Sequence, residues 1–242
     1  RRAAEHRHER HLDRRLANRG DQLFGRDRRR VFEELLHQRV VGSGDLFDEL
    51  VAPLLGLGLH VVHINTLTRL LLERLVENTD AYNLTPDDCY LISTASAFHD
   101  IGKVGIDESI LNKPGKLTKE EFETMKEHTL IGASMLDKLE HYKDEKMIKI
   151  AYQICRWHHE RYDGKGYPDG LTGEQIPIAA QVVSVADVYD ALVSKRVYKD
   201  AYSHEQAMKM ILNGECGAFN PLLMEVLVEI QDKIKEEMHY EV

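Results

Sequence analysis

The chain has 242 residues, a formal net charge of −9 at neutral pH, 43% hydrophobic residues and 30% charged residues. That length holds one large or two small domains with a real core, and the negative balance argues against binding a nucleic-acid polymer through its backbone. No apolar run approaches the roughly 20 residues that span a bilayer, and the polar, charged first residues do not read as a secretory leader.

Residues 1–40 hold twelve arginines and no lysine, whereas residues 41–242 hold five arginines and fifteen lysines. Folding physics requires no such switch. Residues 1–55 are therefore expected to be a lead segment distinct from a domain over 56–242. Three origins stay open for it: a linker helix from an upstream domain, a basic arm, or a stretch foreign to the rest. The chain begins with Arg1, as expected of a fragment or a processed chain.

From about residue 59 helix follows helix. Leu67, Leu70, Leu71 and Leu75 recur at helical spacing. Thr85-Pro86-Asp87-Asp88 reads as a helix start, with a capping hydroxyl, proline in the first turn and acids against the dipole. Leu91, Ile92, Ala95 and Phe98 carry that helix to an expected end near Gly102. Thr118 to Glu121 forms a capping box ahead of Phe122, Met125 and Ile131. Ile148, Ala151, Ile154 and Cys155 line another helix. Residues 162–177 hold four glycines and two prolines, which predicts a loop. Helix resumes near Ile178 and runs to about Ser194. Ser203 to Gln206 is a second capping box, and Asn220-Pro221 opens a last helix through Leu223, Val226, Leu227 and Ile230. Strand-like alternation is scarce, so the expected class is all-α. Cys89, Cys155 and Cys216 are odd in number and widely spaced. They predict thiols in a reducing compartment, hence a cytoplasmic location.

The chemistry concentrates in His99-Asp100 and His158-His159. Imidazole and carboxylate, with no cysteine in either doublet, suit Fe or Mn, with Zn or Ni as alternatives. Each histidine alone has a plainer explanation. His60 and His63 are more often surface or satisfied side chains, His99 suits a helix C-terminus, and His128 is equally explained as a buried histidine. Two adjacent imidazoles are nevertheless costly if both are charged, and a metal holds both neutral. Asp187 lies among Val185, Ala186 and Val188, where an acid is expensive unless paired or metal-bound. Asp190 follows one turn on, sharing its face. Jointly, five histidines and one or two aspartates from separate helices predict a polynuclear centre of the kind built inside helical bundles. Lys103, Arg196 and Lys199 are candidate phosphate contacts, although lysines are usually solvated surface.

His99-Asp100-Ile101-Gly102-Lys103, His128, His158-His159-Glu160 through Gly166-Tyr167-Pro168, and Ala186-Asp187 through Leu192 together resemble the HD-GYP family of metal-dependent phosphohydrolases. The resemblance covers about residues 58–240 and implies an all-helical HD-superfamily bundle that hydrolyses cyclic di-GMP. Carried over by position, His60, His99, Asp100 and Asp187 are implied as one metal site. Asp100, His128, His158 and His159 are implied as a second, with Asp100 bridging and catalytic. Lys103 is implied in catalysis and, with Arg196 and Lys199, in holding substrate phosphates, and Asp190 is a further candidate for binding substrate. Gly166, Tyr167 and Pro168 match the family's signature loop, which implies that they shape the site and contact partners. Some members carry a glutamate four residues before the first histidine and hold a third metal. Here that position is Gly56, so two metals are expected. The resemblance also implies an upstream receiver or sensor domain, a diguanylate cyclase partner and a homodimer as arrangements to test. The alternatives are hydrolysis of another cyclic dinucleotide or nucleotide, and a non-catalytic messenger-binding or docking module.

Overall fold

A computed structural model describes residues 58–142, 144–194 and 200–238. The expected lead segment, Gly56, Arg196 and Lys199 lie outside the described residues. Those that are described carry nine α-helices: α1 (Gly58–Asn78), α2 (Pro86–Ala95), α3 (Glu108–Leu111), α4 (Lys119–Asp137), α5 (Lys146–Trp157), α6 (Ile178–Val193), α7 (His204–Leu212), α8 (Pro221–Glu229) and α9 (Gln231–Glu237). Among the described residues no strand forms, and only one isolated bridge joins Asp163 to Thr172. The all-α expectation holds.

The helix starts are written in the residues. Thr85, Thr118 and Ser203 each accept from the backbone three residues on, and Asp88, Glu121 and Gln206 reach back in reciprocal capping boxes. Asn220 accepts from the Leu222 N–H ahead of Pro221. In α1 the spaced Ile64, Leu67, Leu70, Leu71 and Leu75 are all fully buried. Helix α6 is buried at eleven of its sixteen positions, the pattern of a central helix. It packs on α5 and α7, while α4 packs on α5. Arg74 of α1 reaches Glu229 of α8, and Arg69 reaches Glu237 of α9.

The helix from Thr85 does not run to Gly102. It ends at Ala95 and tightens into two 3-10 segments, Ser96–Phe98 and Ile101–Gly105. The second segment presses against α4 at Gly102. A Cβ there would stand 1.9 Å from the His128 carbonyl oxygen and 2.5 Å from the Gly132 nitrogen. Only glycine permits that approach, and it brings His99-Asp100 against the helix that carries His128.

Candidate metal centre

Two ligand sets converge where these elements meet. The donor atoms of His60, His99 and Asp187 lie within 4.8 Å of one another, and so do those of Asp100, His128, His158 and His159. They come from α1, the turn after α2, α4, the end of α5 and α6, so residues distant in sequence close one centre.

Backbone carbonyls and a carboxylate orient the histidines. His99 Nδ1 meets the Ser96 carbonyl at 2.8 Å, His128 Nδ1 the Met125 carbonyl at 2.7 Å, and His158 Nδ1 the Ile154 carbonyl at 2.9 Å. A carbonyl oxygen only accepts, so each Nδ1 carries the proton. Each Nε2 is thereby left to face inward as the ligating nitrogen. His60 Nδ1 is held by Asp190 at 2.6 Å. The inward nitrogens then meet: His60 Nε2 is 3.4 Å from His99 Nε2, and His128 Nε2 is 3.5 Å from His158 Nε2.

Asp100 lies between the two sets. Its Oδ2 is 3.3 Å from His99 Nε2, while its Oδ1 is 3.4 Å from His128 Nε2 and 4.0 Å from His158 Nε2. Oδ1 is buried and has no hydrogen-bond partner. An orphaned, buried carboxylate oxygen facing imidazole nitrogens is the donor chemistry of a cation site, and a divalent metal fits it. Burial opposes the charge of Asp100, but His99, Lys103 and His158 outweigh it and hold the carboxyl well below its usual range. His99 is fully buried, which disfavours its charge. Asp100 and Asp187 nevertheless push it up to about 9, drawing in a positive charge that a metal would supply instead. His158 is driven well below its ordinary value by burial and by His159, and His159 falls to about 4, mainly through burial. Both shifts favour the neutral imidazoles that ligation requires.

Lys103 is 40% exposed and pairs with Asp100 Oδ2, placing an ammonium at the mouth of the centre. Asp190 lies behind His60. Its side chain is 1% exposed and is engaged by His60, by His63 at 2.7 Å and by Ser194 at 3.1 Å. A carboxylate so enclosed orients His60 and His63. The same bonds show where His63 belongs.

The glycine loop is more than a connector. Glu160, 4% exposed, accepts from the backbone N–H groups of Asp169, Gly170 and Leu171 at 2.7, 3.0 and 3.1 Å. The Tyr167 N–H returns to the His159 carbonyl. The Tyr167 ring lies on His159, with centroids 4.9 Å apart and planes 31° apart. A Cβ on Gly166 would stand 2.3 Å from the Arg161 nitrogen and 2.4 Å from Glu160 Cα. Glycine is required for the loop to close on its own start. Glu160 had no assigned role in the sequence, because its partners are backbone groups nine to eleven residues away that leave no mark on composition.

Comparison with known proteins agrees with this architecture. A family profile described as HD domain matches residues 49–217, beginning a few residues before the expected boundary at 56. A "Probable cyclic di-GMP phosphodiesterase" of Vibrio cholerae is 43% identical over 182 residues, covering 73% of this chain and 41% of the relative. A "3'3'-cGAMP-specific phosphodiesterase 2" of the same organism is 39% identical over 152 residues, covering 63% of this chain and 28% of that protein. The chain therefore spans well under half the length of either relative. Among solved structures, the Bdellovibrio bacteriovorus HDG"Y"P protein Bd1817 superposes with a TM-score of 0.53 at 23% identity, covering 72% of this chain and 51% of that one. At that identity it speaks for the fold alone.

Proposed function

The chain belongs to the HD-domain family, with the motif order of its HD-GYP branch, and from that premise we propose that it is a metal-dependent phosphodiesterase that opens cyclic di-GMP. The observation that carries the reading is the Asp100 carboxylate, which turns Oδ2 to one histidine set and Oδ1 to the other. A carboxylate shared in this way suits a binuclear centre.

The reading takes two divalent transition metals, Fe or Mn first and Zn or Ni as alternatives, because every donor is nitrogen or oxygen. When bound, such ions polarise a phosphoryl oxygen and make water a nucleophile at neutral pH. The protein's own part is positioning. Asp100 serves both positions. His60, His99 and Asp187 complete one, and His128, His158 and His159 the other. Lys103 binds phosphoryl oxygens, and Arg196 and Lys199 join it. Tyr167 and Pro168, held by the Glu160 anchor, form a wall beside His159. Cytoplasmic action fits the free thiols of Cys89 and Cys155, and no helix among the described residues is long and apolar enough to cross a membrane. A receiver or sensor domain and a diguanylate cyclase remain the partners to seek.

A second substrate, a mixed guanine–adenine cyclic dinucleotide, is favoured by the Vibrio cholerae relative whose name specifies one. Chain loaded anaerobically with manganese or iron should be offered cyclic di-GMP and cyclic GMP-AMP, with products separated by chromatography. Metal-dependent loss of cyclic di-GMP supports the proposal. Hydrolysis of cyclic GMP-AMP alone replaces the substrate. Tight binding of either without hydrolysis replaces the enzyme with a messenger-binding module.

A further inference from the structure

Beside the centre stands a group of side chains with no role in metal holding. Phe122, in the first turns of α4, is 46% exposed, although the buried face of that helix begins at His128. Its ring is 6.4 Å from that of Tyr167, at 81°. The Lys126 ammonium stands in the angle between them, 5.0 Å from the Phe122 centroid and 5.5 Å from that of Tyr167. Its ion-pair partner Glu123, at 2.7 Å, is 70% exposed, so that pair is weakly held and easily exchanged. Tyr167 in turn rests on His159. A path of rings thus leads outward from a metal-ligand candidate to an open aromatic edge with a cation beside it. A nucleotide extends in the same way from its phosphate, through its sugar, to a base.

We propose that Phe122, Tyr167 and Lys126 form a purine-base subsite. The base stacks on Phe122 in the angle now filled by the ammonium, and Lys126 moves to its edge. A π-face stacks on an aromatic ring whatever the base. The cation supplies the selection: guanine offers the O6 and N7 acceptors side by side, whereas adenine replaces the first with an amino donor. The subsite therefore takes guanine in preference to adenine. This inference rests on the proposed function only in taking the substrate to be a nucleotide.

Calorimetric titration of the manganese-loaded full chain with GMP, AMP and ribose 5-phosphate tests it without any catalytic readout. GMP should bind about tenfold more tightly than ribose 5-phosphate, within the range that base–aromatic stacking gives. Phe122→Ala should bring GMP to within about twofold of ribose 5-phosphate, with ribose 5-phosphate and the melting temperature unchanged, and Phe122→Trp should retain the difference. Lys126→Met should abolish the preference for GMP over AMP. The subsite is overturned if wild-type protein binds GMP and ribose 5-phosphate equally, or if Phe122→Ala weakens both alike. If cyclic di-GMP is not hydrolysed while GMP still binds through Phe122, the proposed reaction falls and the subsite stands. If it is hydrolysed while Phe122→Ala leaves GMP affinity intact, the subsite falls and the reaction stands.

Discussion

Asp190 holds His60 through Nδ1 at 2.6 Å, and that bond aims the opposite imidazole nitrogen at His99 Nε2, 3.4 Å away. The aspartate also holds His63, and its own side chain is 1% exposed. Asp190→Asn should therefore leave every ligand in place but loosen the first position. Outer partners of this type are worth about 10–100-fold in metal affinity. Titration with manganese should show one weakened site and one intact site. Equal affinity at both sites would return Asp190 to the substrate role.

Metal content follows from Asp100. Elemental analysis of anaerobically prepared protein should find two transition metals per chain. Asp100→Ala should remove both, because each set loses a ligand and the bridging charge disappears. Three tightly bound metals, or a variant that still holds two, would contradict the shared carboxylate.

The elements were legible wherever local chemistry decides them. The capping boxes at Thr118 and Ser203, the Asn220 cap and the buried leucines of α1 are short-range signals, and the structure reproduces them. The turn after Ala95 was not legible. Its tight form depends on Gly102 meeting the backbone of α4, a contact between segments 26 residues apart or more. The ligand candidates could be picked out as doublets and as acids in apolar surroundings. What holds them could not, since Ser96, Met125 and Ile154 contribute carbonyl oxygens, which every residue possesses. The partners of Asp190 were not legible either, because its sequence neighbourhood says nothing of two histidines 127 and 130 residues away.

The loop anchor gives a prediction of its own. Glu160→Gln keeps the shape but turns an amide N–H₂ toward backbone donors, so at least one partly buried N–H loses its acceptor. Leaving such a group unsatisfied costs about 1–3 kcal/mol, read as a lower urea midpoint. Turnover should fall as well, because Tyr167 is placed by that loop, while metal content stays the same. Gly166→Ala should act in the same direction through its clash with Arg161 and Glu160. Unchanged stability and kinetics in both variants would mean that the loop is a mere connector.

Arg196→Ala tests the phosphate role outside the described residues. The loss of one charged contact should lower kcat/KM by one to two orders of magnitude, roughly 1.4–3 kcal/mol, with little change in melting temperature. Unchanged kinetics would dismiss the role, and a large stability loss would point to a structural ion pair.

The course of the reaction is the last expectation. On the proposed reading, two metals held through Asp100 would position one phosphodiester at a time, with Lys103 at its oxygens. The linear dinucleotide released carries a terminal phosphate with additional negative charge. Rebinding it for a second cut requires a further cation to orient that added charge, beyond the two metals proposed to hold the scissile diester. A third metal would offset it, but Gly56 stands where the resemblance would put that metal's carboxylate ligand. Cyclic di-GMP should therefore be opened to pGpG faster than pGpG is cut to GMP. In a chromatographic time course pGpG should accumulate before GMP appears. GMP rising from the start with no pGpG peak would mean that two metals suffice for both cuts, or that another side chain replaces the missing acid.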